Sequence, residues 1–159
     1  MIAIAIIGIL ALVLIPKVGG MKAQAKLAGL DTNMRIAVAA AEGIINDYDD
    51  TTIMGLESDL ATKLRAGGVN AVKNPISGKV GVVEGTVVVA TGAAFQYDED
   101  ADAAAEAADA TAGYTATDAT LAGVIRYDAS YAAGQLTVKL MPYDDQGIPM
   151  TAKVKIVNK

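Results

Sequence analysis

Few side chains in this sequence could do chemistry, and their spacing argues against catalysis. The chain has no Cys and no His, which removes thiolate nucleophiles, the ordinary imidazole base and the commonest zinc ligands. Ser58, Ser77 and Ser130 are its only serines, and none can join a hydrolytic triad without a histidine. Gly78-Lys79 lacks the upstream glycine of a phosphate loop, and Gly81 with Gly85 does not make a dinucleotide-binding turn. The nearest approach to a site is Asp98–Asp109, DEDADAAAEAAD, whose carboxylates fall at relative positions 1, 3, 5, 9 and 12, as in a calcium loop. Ala103 stands at the sixth position, where that loop needs Gly, and Asp109 replaces the longer Glu at the twelfth. A helix start capped by Asp98, Asp100 or Asp102 explains the same letters. The run is therefore read as solvated acidic surface, with no metal and no cofactor expected. Asp144-Asp145-Gln146-Gly147 is a second, weaker acidic turn. Thr111, Thr115, Thr117 and Thr120 offer hydroxyls for O-linked sugars if their stretch faces solvent.

Composition narrows the classes further. The 159 residues suit one domain, and the formal net charge is −5. That balance disfavours nucleic acid, which demands clustered Lys and Arg to displace counterions. Six Tyr and one Phe give too few aromatics for a base-stacking surface. Without disulfides, the fold must be held by packing alone.

The element that must organise everything else is the opening stretch Met1–Pro16, MIAIAIIGILALVLIP. It carries no charged or polar side chain, and Gly8 is its only interruption before Pro16. A helix apolar on every side needs apolar neighbours on every side, either lipid or other copies of itself. Pro16, Gly19 and Gly20, with Gly8 two turns earlier, make residues 8–20 the weakest part of that helix, and a break is expected there, the alternative being a mild proline kink in a continuous helix.

The pattern Ala5-Ile6-Ile7-Gly8-Ile9-Leu10-Ala11, followed by Pro16, resembles the N-terminal helix of type IV pilins and pseudopilins. In that family a methylated Phe followed by Thr-Leu-Ile-Glu precedes this run. Aligning Gly8 and Pro16 sets Met1 about six residues inside the family's mature chain, and restoring those gives an apolar segment of roughly 22 residues, close to one bilayer crossing. The resemblance is strong over residues 1–16, extends to about residue 48, and is architectural beyond. It implies a filament core built from Ile2, Ile4, Ile6, Ile7, Ile9, Leu10, Val13 and Leu14. It also implies that the helix loses hydrogen bonds near Gly8, Pro16, Gly19 and Gly20 on assembly.

Residues 21–48 read as an amphipathic half of the same helix. Leu27, Leu30, Met34, Val38, Ala41, Ile45 and Tyr48 recur at three- and four-residue steps and make a stripe that packs on the head. The small residues Ala23, Ala25, Ala28, Ala37, Ala39 and Ala40 form a flank suited to neighbouring helices. Lys17, Lys22 and Lys26 could meet lipid headgroups or acidic groups of another subunit. Asp47-Tyr48-Asp49-Asp50 ends the helix, since acids are unfavourable at its negative terminus.

Residues 49–159 form the head. Met54, Leu56, Leu60 and Leu64 predict a short helix stopped by Gly67-Gly68, and Lys73–Lys79 reads as a turn through Asn74-Pro75 and Ser77-Gly78. Lys79–Val83 and Thr86–Thr91 are expected to form a hairpin around Glu84-Gly85. Ala122–Ala129 and Gln135–Met141 alternate around Gly134, and Thr151–Val157 alternates with Lys153 and Lys155 outward and Ala152, Val154 and Ile156 inward. Residues 95–120 are an Ala-, Asp- and Thr-rich insertion with a short helix at Asp102–Ala110. The expected fold class is α+β: a long N-terminal helix, apolar then amphipathic, on an antiparallel sheet of four or five strands.

These readings point to a non-catalytic, structural protein. The expectation is the major subunit of a type IV pilus-like filament at the cell surface, serving adhesion, motility or a related role. Its partners are other copies of itself in a helical polymer, the membrane before assembly, and the pilus assembly machinery. One alternative is a pseudopilin of a type II secretion system, which a calcium site at Asp144-Asp145 would favour. The other is a binding module that the helix merely tethers to a membrane.

Overall fold

The computed structural model describes residues 2–49, 51–66, 72–85, 93–97 and 119–159. In the first helix, side chains are described at Ala3, Ile6, Ile7, Gly8 and Leu10 and, Ala23 excepted, from Met21 onward. That helix, α1, spans Ile2–Glu42. Its backbone stays helical through Gly8, Pro16, Gly19 and Gly20, so the expected break is absent from the single chain. A proline removes one donor, and the Ala- and Leu-rich turns on either side carry the remaining ladder across it. The helix stops at Glu42, before the acidic run assigned to end it. Gly43 has poor helix propensity, Ile44 then bonds back three residues to Ala41, and a single 3-10 turn, Ile45–Asp47, follows.

Leu30, Met34, Ala37 and Ala41 form the buried stripe of α1, with Leu27 and Val38 half-buried at its margins. Ala37, assigned to the flank facing other helices, lies in this stripe and is fully covered. Ile44 and Ile45 continue the buried line past the helix end, and Tyr48 packs half-buried beside them. The second helix, α2, spans Leu56–Arg65 after a 3-10 turn at Ile53–Gly55. Leu56, Leu60, Ala61 and Leu64 face the core as the 3.6 period requires. The 3-10 entry shifts the phase, so Ile53 is buried and Met54 is 41 % exposed. Gly67-Gly68, assigned as the stop of α2, lies outside the described residues.

The fold is α+β, with a mixed sheet rather than the antiparallel one expected. Its five strands are β1 (Val82–Glu84), β2 (Phe95–Tyr97), β3 (Ile125–Ala132), β4 (Gln135–Pro142) and β5 (Lys155–Asn158), in that spatial order. β1 and β2 are parallel, as are β2 and β3; the pairings β3–β4 and β4–β5 are antiparallel. Gly85 donates its N–H to the Tyr97 carbonyl and accepts from the Gln96 side chain, fixing the parallel register of β1 with β2. Thr86–Thr91 lies outside the described residues. Phe95–Tyr97, assigned to the insertion, is a strand buried on both faces, so no alternation marks it in the sequence. Tyr97 stacks on Tyr127 of β3 at 5.4 Å between ring centres.

α1 contacts β3, β4 and β5, and α2 contacts β1 and β3. Ile125, Tyr127, Ala129, Leu136, Val138 and Leu140 fill the space beneath them. Among the described residues β2 pairs with Ile125–Tyr127 and does not reach the Ala129 N–H. Buried Glu57 of α2 fills the place: its Oε1 accepts from that N–H at 2.6 Å, and its carbonyl accepts from the Tyr127 hydroxyl at 3.2 Å. Residues 151–153 form a 3-10 turn, so the last strand begins later than expected. The shift inverts its faces: Val157 is buried opposite Val138, and Ile156 is 58 % exposed.

One loop ties these parts together. Asn74 is fully buried, and its Oδ1 accepts from the N–H groups of Ile76 and Ser77. Its Nδ2 donates to the carbonyls of Ala93, before β2, at 2.8 Å and of Ala122, before β3, at 2.9 Å. Asn33 of α1 donates to the Lys73 carbonyl at 2.8 Å. A Cβ at Gly29 would stand 2.9 Å from Pro75 Cβ, so glycine lets α1 press against the loop. A Cβ at Gly123 would stand 2.5 Å from Asn74 Oδ1.

Asn74→Ala should cost roughly 2–4 kcal/mol, because it strands two buried carbonyls as well as losing the bonds; denaturant unfolding measures it. The β3–β4 turn gives a second expectation. Ala133 and Gly134 have φ of 54° and 84°, the two left-handed positions of a tight hairpin that favours Asn-Gly. Ala133→Asn should raise stability by about 0.5–1 kcal/mol, visible as a higher Tm.

Candidate functional site

Four large apolar side chains stand exposed on α1 ahead of its buried stripe; among the described residues Ile36, Met54, Val80, Ile148 and Ile156 are exposed elsewhere. Ile6, Ile7 and Leu10 expose 53, 66 and 55 % of their surface, and Met21 exposes 67 %. Neighbouring Ala3 and Gly8 are exposed too. Large apolar groups left this exposed on one helix suit a surface made for a partner or a lipid. Ile2, Ile4, Ile9, Val13 and Leu14 belong to the same expected surface, but their side chains lie outside the described residues, as does that of Lys17. Among the described residues no helix is long and apolar enough to cross a membrane.

The second half of α1 has two faces. Its inner stripe is seated on the sheet as described above. Its outer face presents Lys22, Ala25, Ala28, Thr32, Ile36 and Ala39 to solvent, so Ala25, Ala28 and Ala39 of the expected small flank are open, while Ala37 is buried and Ala40 half-buried. Lys26 is half-buried.

Two further surfaces flank the helix. Where α1 passes the edge strand β5, a groove is lined by Met34, Arg35, Val38, Ala39, Lys155 and Ile156. It continues past the Lys153–Asp31 ion pair, 2.8 Å long. Beyond the end of α1, on the α2 side, Asp47, Tyr48, Thr52, Asp59 and Lys63 line a shallow acidic shoulder.

The shoulder is electrostatically set. The Asp49 side chain accepts from the hydroxyls of Thr51 and Thr52 at 2.7 and 2.9 Å, and from their N–H groups at 3.0 and 3.1 Å. These bonds, the Thr51 hydroxyl first, hold its carboxyl down at about 2. Burial, then the hydrogen bond donated to Asp59, pushes the Tyr48 phenol up to about 12. Lys159 Nζ closes the end of the head by donating to the carbonyls of Asn46 and Tyr48.

The arrangement offers surfaces rather than a reaction centre. Among the described residues no group of three or more carboxylates is placed to hold a metal ion. Asp144 Oδ1 accepts from the N–H groups of Gln146 and Ile148, both at 2.8 Å, so this acidic turn is tied to its own backbone. Asp98–Asp109, the calcium-loop-like run with its expected helix, lies outside the described residues, as do Thr111, Thr115 and Thr117. Thr120 is exposed in a 3-10 turn. The buried polar residues Asn33, Glu57, Asn74 and Gln96 carry no periodic signal in the sequence. Only the Asn-Pro dipeptide marks one of them, and it marks a turn rather than a hub.

Compared with protein-family models, curated proteins and solved structures, the chain matches none.

The two shifted groups set opposite pH limbs. Asp49 is depressed below its unfolded value near 4, so its contribution is present above about pH 4 and fades as pH falls towards about 2. Tyr48 is raised above its unfolded value near 10, so its contribution holds below about pH 10 and fades as pH climbs towards about 12. Asp49→Asn should flatten the acid limb and Tyr48→Phe the alkaline limb in denaturant unfolding across pH.

Proposed function

We propose that this chain is the structural, non-catalytic subunit of an extracellular type IV pilus-like filament. One observation carries the reading. A single unbroken helix has its second half seated on the head, while Ile6, Ile7, Leu10 and Met21 stand uncovered ahead of it. A subunit shaped this way has an apolar handle that its own fold cannot cover. Before assembly the membrane covers it; afterwards other copies of the same helix do, in a helical polymer at the cell surface. Transfer from lipid to protein is apolar to apolar, so burial itself contributes little, and close helix packing must supply the difference. The contact joins unlike surfaces and does not close, which generates a fibre. Gly8, Pro16, Gly19 and Gly20 then mark where the helix gives up hydrogen bonds to fit the polymer. The assembly machinery acts on the subunit while it is held in the membrane.

The secretion pseudopilin shares this helix logic and differs in the length of the polymer. It draws no support from Asp144, whose Oδ1 is used by its own turn. A merely tethered binding module would keep its function once residues 1–20 were removed.

The test is electron microscopy of filaments sheared from cells, at side-chain resolution. The expected image has α1 at the axis and the sheet outside. Ile7→Glu should cut filament yield at least tenfold, since an unpaired carboxylate in an apolar bundle costs about 2–3 kcal/mol or more. It should leave the unfolding of the head unchanged, because Ile7 is 66 % exposed in the single chain. Filaments of undiminished yield from Ile7→Glu, or from a chain lacking residues 1–20, would overturn the reading.

A further inference from the structure

The groove between α1 and β5 has the composition of a protein contact rather than of a solvated edge. Ile156 is 58 % exposed on the last strand, beside Val38 and Ala39 of α1. Arg35 and Lys155 line the same groove, with Lys153 at its continuation. Two anions are also near: Asp31, which is paired to Lys153, and Glu42 at the far rim. The groove is thus an apolar floor flanked by an excess of cations, in a chain whose net charge is −5. Copies of such a chain repel one another on average, so a stable contact between heads must bring the scarce cations against carboxylates.

The same head carries the matching surface. Beyond the end of α1, Asp47, Asp49 and Asp59 are exposed, against the two cations Lys63 and Lys159. Met54, 41 % exposed, lies in the chain segment between Asp49 and Asp59. Asp49 is held ionised by its threonine hydrogen bonds, so this carboxylate keeps its charge well into acid. The groove lies at the β5 edge and the shoulder on the α2 side, and the two share no residue. A contact between them is therefore head-to-tail, the open kind that adds copies without closing.

We propose that the Arg35–Lys155–Ile156 groove of one copy receives the Asp47–Asp59 shoulder, with Met54, of the next copy. The proposal rests on the filament reading above and specifies the contact between heads that accompanies the contact between helices. Ile156 and Met54 meet at the centre, and Arg35 and Lys155 meet the carboxylates at the rim.

The absence of cysteine allows a direct test on full-length filaments. A chain carrying both Ile156→Cys and Met54→Cys is assembled and treated with a short bis-maleimide. A ladder of covalent multimers is expected from the double variant, and none from either single variant. Arg35→Glu with Lys155→Glu should lower filament yield about tenfold, the equivalent of 1.4 kcal/mol. The loss should be smaller at high salt, where exposed charges are screened. Filaments that form but give no ladder, or whose yield ignores the double charge reversal, would overturn the head contact and leave the helix-bundle reading standing. If the unsubstituted chain makes no filaments, both fall.

Discussion

The seating of α1 on the sheet depends on one buried amide. Asn74 spends its oxygen on its own turn and its two N–H groups on the backbone just before β2 and just before β3. The loop it stiffens is one of the surfaces α1 meets, through Gly29 against Pro75 and Asn33 against the Lys73 carbonyl. A carboxamide suits the place because it both donates and accepts; a carboxylate would present only acceptors to two carbonyls. With no disulfide, this polar knot does what a covalent staple does elsewhere: it fixes the angle at which the long helix leaves the head.

Polar burial of this sort recurs and sets the shape of the sheet. Glu57 reaches β3 from α2 and satisfies the Ala129 N–H beyond the described end of β2. Gln96 and Gly85 hold the parallel edge in the same manner. The apolar core gives adhesion, and these few amides and the carboxylate give register.

What could be read from sequence follows from how far each signal repeats. The stripe Leu30, Met34, Ala41 and the α2 series Leu56, Leu60, Leu64 span several turns, and their phase is legible. β3 and β4 announce themselves by length and by the Gly134 turn. Three-residue strands carry too few alternations to show a period, and β2 is buried on both faces besides, so Phe95–Tyr97 looks like the start of a loop. The parallel pairing of β1 rests on Gly85 and Gln96, which meet only in space. Ile156 and Val157 exchanged faces because a 3-10 turn displaced the strand by a few residues, and a period of two turns a one-residue slip into an inversion. The helix is the reverse case. Pro16 and the glycines are strong local signals, yet in the single chain they do not interrupt it, since one lost hydrogen bond among many is tolerable. The apolar run at the start of α1 was legible as composition, and the groove beside β5 was hidden by that same inversion of faces.

The junction of α1 with the head has a mechanical consequence. The buried stripe runs along the helix axis from Leu30 to Ala41, a distance of about 17 Å at 1.5 Å per residue. Tension applied along α1 therefore loads all of these contacts at once, in shear, instead of peeling them one by one. At the far end, the Lys159 ammonium donates to the chain just past the helix. Drawing the head along α1 therefore requires the contacts of the stripe to yield together.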